Sequence, residues 1–546
     1  MKSLIVQNSS TALREPDLYF NQKPNEQVDE ILSKYSDMPF GITSWLEDTC
    51  TDIIEEGAQH VVQDFIGKIV ANLHNTVKDI PFVVMSDSHV LKVQYFIRTP
   101  KLAKFFILAN YPKMEQSGRA FMETLMGSIL AKSCLPLTEM GSYDFFEEPS
   151  KQPPSVHNNT EGRIWSATEI VHEICHEIFN ALFRVDPEVK HLTLMWIGNC
   201  FQANVGRGKM WTNEMGPWLS NTFASDGFML NLEAVLLMFC KPFAEGVGNT
   251  RMLKIDPTYT SVESAVSEDA KAKNVHLREA QKATFLVPSE AEDKEKEDVP
   301  ESFNFITDIF FLTHKSLDLG FRVCHEKLVK MNQELGRQQQ MYRDLMSSGQ
   351  GSSPAGEVIQ KKMDALMTRY ITRFFFLQLL KSHSKLLLLD RYLSLKAALL
   401  VPSALDNAFF LSASTGSWMV QLCLNEESTR LNSLKHLKQL TFPLKNVLPP
   451  SLKYIPEFVM ENICENLLLT RRFCPQQFEQ NAEYLFPILD FILTFMGSPK
   501  WVKNPHLRAR LAECLENLLP MHTLGGSSSA LGSFHREQLF VAHPHR

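Results

Sequence analysis

The stretch Phe228-Met-Leu-Asn-Leu-Glu-Ala-Val-Leu-Leu-Met-Phe-Cys240 is apolar on nearly every side of a helical wheel. A helix with one apolar stripe can lie on a surface, but one that is apolar all round must be enclosed by other elements. It therefore reads as a core helix. Ser225-Asp226-Gly227, just ahead of it, supplies N-cap chemistry, because a short polar side chain there can accept a hydrogen bond from an orphan N–H of the first turn.

Working outward, the same helical period recurs. Val90–Ile97, Leu102–Leu108 and Phe121–Leu130 carry apolar residues at i, i+3 and i+4. Segments near 303–345, 356–400, 402–424, 455–470, 477–496 and 504–519 follow suit, and alternating strand patterns are scarce. The fold class is all-α, with serial amphipathic helices stacked irregularly, each burying its stripe against neighbours. Two stretches break the pattern. Residues 289–301 hold seven acids and two lysines with almost nothing to bury, which predicts a solvated acidic linker. Residues 347–356, rich in Ser and Gly, predict a flexible loop. Residues 521–546 form a low-complexity tail without clear periodicity.

With 546 residues the chain exceeds one simple core. A net charge of -7 and a pI near 6.2 argue against nucleic acid and against an anionic membrane surface. The N-terminus lacks the apolar core of a signal peptide, and no run reaches about 18 uninterrupted apolar residues, so no membrane insertion is expected. Leu386-Leu-Leu-Leu389 is followed at once by Asp390-Arg391. None of the ten cysteines forms C-x-x-C, and several sit in apolar runs, which fits reduced, buried thiols in a cytoplasmic or nuclear protein.

One stretch suggests chemistry. His172-Glu-Ile-Cys-His176 spells H-E-x-x-H, which on a helix puts two imidazoles on one face, as a zinc protease requires. Zinc would need a further ligand, and the extended protease pattern wants Gly and His where Phe179 and Leu182 stand. The wheel gives the plainer reading: Ile170, Val171, Ile174, Cys175, Ile178, Phe179 and Leu182 make an apolar stripe, with His172, Glu173 and His176 beside it on the wet side. The motif is read as a decoy, with no metal and no cofactor. There is no P-loop, no dinucleotide fingerprint and no G-x-S-x-G. Gly206-Arg-Gly208 reads as a helix-to-helix turn, Arg373–Leu380 as core, and Lys435, Lys438 and Lys445 as scattered surface charge.

From residue 191 the wording becomes distinctive: HLTLMWIGNCFQANVGRGKMWTNEM, then SDGFMLNLEAVLLMFCKPF from Ser225, DPTY at 256–259, KNVHLREAQKATFLVP at 273–288, YIPEFVMENICENLL at 454–468 and GSPKWVKNPHLRARLAECLENLLP at 497–520. In this order the set resembles the core of the ubiquitin-chain elongation factors, the E-four ubiquitin conjugation factors, and the KNVHLR and NPHLRARLAE wording is closest to the A-type branch. The resemblance implies an elongated, irregular helical solenoid of armadillo or HEAT type, with 1–288 as the N-terminal part of the core and 302–520 as its continuation. It also implies a factor that extends ubiquitin chains on already tagged substrates destined for the proteasome. The partners so implied are a ubiquitin-conjugating enzyme, ubiquitinated substrates and, in some members, the hexameric AAA segregase. The family's U-box, which docks the conjugating enzyme and contributes no nucleophile, is not found in this sequence, so activity from the chain alone is not expected. Asn199, Asn204, Arg207, Ser225, Asp226 and Gly227 belong to the matched motifs and read as turns and caps, with partner binding as the other reading. A helical-repeat adaptor without any ubiquitin link has the same composition and is the alternative class; a metalloprotease is a distant third.

Overall fold

The computed structural model describes residues 2–18, 39–138, 141–146, 149, 152–209, 222–262, 275–288, 300, 302–347, 387–425, 429–445 and 447–519. Apart from one isolated antiparallel bridge between Phe285 and Pro456, every regular element among them is a helix. The acidic stretch 289–301 save Pro300, the loop 347–356 beyond Ser347, the Arg373–Leu380 run and the tail 521–546 lie outside the described residues.

The first layer shows why the periodicity works. Helices α1 (Lys2–Arg14), α2 (Pro39–Glu55), α3 (Gln59–Lys78), α4 (Leu91–Ile97) and α5 (Pro100–Ala109) pack together, most closely α1 on α2 and α3 on α5. In α3, Val62, Phe65, Ile66, Ile69, Val70, Leu73 and Val77 recur on one face and all are buried. Its C-terminal carbonyls are met by a cation, with the Lys132 ammonium donating to Lys78 O at 2.8 Å. Residues 121–130 are not one helix, as the apolar period had suggested, but two, α6 (Gly118–Met122) and α7 (Leu125–Leu130). Thr124 breaks them. It takes an extended backbone, and its hydroxyl oxygen accepts the Gly127 N–H to cap α7. Gly127 has to be glycine here, because a Cβ would lie 1.7 Å from the Phe121 carbonyl oxygen.

Helix α8 (Pro154–Val185) is the longest described element and stops at Asp186, which is extended because Pro187 follows it. The same Asp186 caps α9 (Pro187–Ala203), accepting from Glu188 N–H at 2.8 Å. Next comes α10 (Asp226–Ala244), the stretch that opened the sequence reading. It packs on α8, on α11 (Phe305–Leu319) and on α14 (Pro402–Leu424), which together enclose it. Its length and hydropathy would suffice to cross a bilayer, yet that apolar surface is spent on packing.

The expected helix at 303–345 is two: α11 and α12 (Phe321–Ser347), parted at Gly320. The buried Glu233 carboxylate from α10 accepts the Phe321 N–H there at 2.8 Å, and a Cβ on Gly320 would meet the same oxygen. Of the expected 356–400 segment, α13 (Leu387–Leu399) is described. Beyond α14 follow α15 (Glu457–Phe473), α16 (Pro475–Gln480), α17 (Leu485–Met496) and α18 (Pro505–Leu518). The segment expected at 477–496 is thus divided, with a 3-10 turn at Ala482–Tyr484 between α16 and α17. The result is an all-α, solenoid-like stack in which contacts between sequence neighbours alternate with contacts between distant helices such as α10 and α14.

Candidate functional site

Two places compete for a functional role: the H-E-x-x-H turn of α8 and the motif residues around the start of α10. On α8 the structure corrects the wet-side reading. His172 is buried, His176 is half-buried and Glu173 is exposed, while Ile170, assigned to the apolar stripe, is itself exposed. The reason is that α10 and α7 crowd the His172 face. Asn231 on α10 donates both amide hydrogens to carbonyls, Leu130 O and Lys132 O, each at 2.8 Å. Its oxygen is therefore left to accept, and His172 Nε2 at 3.0 Å must carry the hydrogen. That nitrogen is consumed by an amide and offers no lone pair to a cation. Burial pushes the His172 pKa down to about 4, against the hydrogen bond to Asn231, so the ring is neutral at pH 7. The His176 ring lies 4.5 Å, centroid to centroid, from Phe239. Among the described residues, no three His, Cys, Asp or Glu side chains converge to hold a metal.

The motif residues do meet. Asn204 ends α9; its amide donates to Cys200 O at 2.8 Å and its oxygen accepts the Ala224 N–H at 2.8 Å. Gly118 of α6 abuts that side chain so closely that a Cβ would stand 2.2 Å from Asn204 Oδ1. The buried Arg207 donates three times: Nε to Leu319 O at 3.0 Å, Nη1 to Ala224 O, and Nη2 to Asp226 Oδ1 at 2.6 Å. Lys327 of α12 approaches the same carboxylate at 2.7 Å. Burial alone would raise the Asp226 pKa, but the Lys327 and Arg207 charges outweigh it and hold the carboxyl well below its usual range. Ser225 caps α10, its hydroxyl oxygen accepting the Phe228 N–H at 3.2 Å. Gly227 admits Ser133, whose Cβ would lie 2.4 Å from an added Cβ. Asn199 is buried one turn before Asn204, and its side-chain oxygen has no hydrogen-bond partner among the described residues. Asn204, Arg207, Ser225 and Asp226 thus form a joint between α6, α9, α10, α11 and α12, Gly227 packs beside it on Ser133, and Asn199 stands apart.

A third polar cluster went unread in the sequence although three quoted motifs feed it. His191 opens HLTLMW, Tyr259 closes DPTY and His276 sits in KNVHLR. His191 Nδ1 is 3.0 Å from His276 Nε2, and His276 Nδ1 is 2.8 Å from Asp308 Oδ1. The Tyr259 hydroxyl donates to the same Asp308 oxygen at 2.8 Å and accepts the His276 and Leu277 N–H groups. The available signal was a single histidine between Val275 and Leu277, a polar residue in an apolar setting that calls for a partner.

None of these clusters presents an activated nucleophile. The cysteines are unpaired, and all but the half-buried Cys474 are buried. Burial pushes Cys134 and Cys240 up to about 12 and Cys474 to about 11, so their thiols stay protonated at neutral pH. What the motif residues can do is hold helices at fixed angles.

Residues 126–546 match the family described as the ubiquitin elongating factor core. The chain is 32% identical over its whole length to ubiquitin conjugation factor E4 A of Bos taurus, covering 48% of that protein. It is 33% identical over its whole length to the Mus musculus protein of the same name, covering 50% of it. A probable ubiquitin conjugation factor E4 of Arabidopsis thaliana is 21% identical over 97% of the chain. The chain spans about half the length of the curated relatives it matches.

Proposed function

Because this chain belongs to the ubiquitin elongating factor core family, we propose that it serves ubiquitin-chain elongation as the partner-recruiting scaffold of a chain-extension factor. The observation that carries the reading is the place of the shared motifs. Among the described motif residues, Asn204, Arg207 and Asp226 lie in a joint between helices, where Arg207 ties Leu319, Ala224 and Asp226 together. A scaffold accelerates transfer by orientation: holding a tagged substrate near a ubiquitin thioester raises its effective concentration without covalent catalysis. In this reading a ubiquitin-conjugating enzyme works through a U-box, ubiquitinated substrates lie along the stack, and the hexameric AAA segregase and the proteasome are its onward partners. Unpaired cysteines support a reducing compartment, the cytoplasm or nucleus.

The test is reconstitution with ubiquitin-activating and ubiquitin-conjugating enzymes, ATP and a substrate already carrying ubiquitin. Chain 1–546 alone gives no extension, and fusing a U-box to its C-terminus restores it. Robust extension by 1–546 alone contradicts the scaffold. Crosslinking in cell extract that captures neither ubiquitin machinery nor the segregase contradicts the recruiting role.

A further inference from the structure

The segment 275–288 crosses the molecule as a strap. Near one end its backbone lies on α9 at Gly198, where a Cβ would stand 1.9 Å from the His276 carbonyl oxygen. Toward the other, Leu286 N–H donates to Ile455 O at 3.0 Å, Thr284 O accepts the Glu457 N–H at 2.8 Å, and Leu286 O accepts the Lys503 N–H at 3.1 Å. The strap therefore links α9 and α11 to α15 and to the turn before α18. Its His276 side chain is held between Asp308 of α11 and the exposed His191 of α9.

We propose that the His191–His276 pair is a proton-operated latch, which ties the strap to α9 while the pair carries at most one extra proton and releases it once both rings are charged. Two ring nitrogens 3.0 Å apart share one hydrogen. In the neutral pair, His276 Nδ1–H donates to Asp308 and its Nε2 accepts from His191 Nδ1–H. One added proton still leaves a single hydrogen between the facing nitrogens, so the contact survives with one ring in its other tautomer. A second proton puts hydrogens on both facing nitrogens, leaves no acceptor, and sets two like charges against each other.

The groups around the pair fix where this happens. Asp308 of α11 and the Tyr259 hydroxyl of the 3-10 turn Pro257–Ser261 face His276. On the His191 side stands Glu188 of α9, itself paired with Lys104 of α5 at 2.7 Å, while Lys190 is turned to the Phe305 ring at 4.5 Å. Partial burial and the neighbouring His276 ring lower the His191 pKa, against the pull of Asp308 and Glu188.

Hydrogen–deuterium exchange of the full chain tests this at pH about 7.5 and about 5, with rates corrected for the intrinsic pH dependence. The expected result is that peptides from 275–288 lose protection at the lower pH by roughly tenfold more than α10 peptides, whose own smaller loss reports the acid loss through His172. In His191→Gln, whose amide can donate to or accept from His276 in either state, the strap loses no more protection than α10. The proposal is overturned if strap protection in the wild type falls no further than that of α10, or if His191→Gln still shows the extra strap loss.

Discussion

His172 on α8 and Asp226 at the start of α10 are both ionisable groups in contact with the core, yet the fold treats them in opposite ways. His172 meets a neutral amide, so burial wins and the ring loses its charge, with the pKa pushed down to about 4. Asp226 meets Arg207 and Lys327, so the charges win and the carboxylate stays ionised far into acid. Burial alone does not decide a protonation state; the partner does. The helix whose sequence spells a metalloprotease motif is held by a neutral hydrogen bond, whereas the joint that carries family wording is held by charge.

The largest expected effect falls on the charged side. Arg207→Met removes three hydrogen bonds and leaves Asp226 with Lys327 alone, and should cost about 3–5 kcal/mol in urea unfolding. Acid should then separate the two regions. Because the folded pKa of His172 lies below its unfolded value, the native state binds fewer protons between them. Stability from this group is complete above 6.5 and falls as pH drops to about 4, by roughly 3 kcal/mol. His314, bonded to Thr415 Oγ1 at 3.0 Å and pushed down to about 3, adds loss of the same sign. His172→Gln, which can still donate to Asn231, should flatten the pH profile, and a profile as steep as the wild type's would count against the neutral-histidine reading. Asp226 adds no pH dependence in that window, because its stabilisation is present above its unfolded pKa and is lost only in stronger acid.

Much of this was legible in advance, for reasons that differ by residue. The apolar wheel of Phe228–Cys240 and the Ser225 cap depend only on period and on one short side chain, and both are local. The break at Gly320 was not legible, since it is set by the Glu233 carboxyl reaching across from α10, whereas the Thr124 break was missed although its cap on Gly127 is local. The wheel also misplaced His172, because a face free of hydrophobic residues need not be a face free of neighbours, and Asn231 fills it. The meeting of His191, Tyr259 and His276 on Asp308 joins four stretches far apart in sequence and could not be read from any one of them.

Smaller effects sharpen the contrast. Ser225→Ala removes one cap hydrogen bond from a helix otherwise held by packing and should cost about 1 kcal/mol in the same unfolding experiment. Glu173→Gln alters an exposed side chain and should change stability by less than about 0.5 kcal/mol. A Glu173 substitution that abolished a proteolytic activity would instead restore the metal motif to consideration.

The joint itself is tested most directly by a double-mutant cycle on Arg207→Met and Asp226→Asn, read by urea unfolding. If these motif residues hold α9, α10 and α12 together, the double variant should lose less than the sum of the singles, with a coupling of about 1–3 kcal/mol. Losses that simply add, within about 0.5 kcal/mol, would mean that the pair does not act as a joint and would contradict the scaffold built on it.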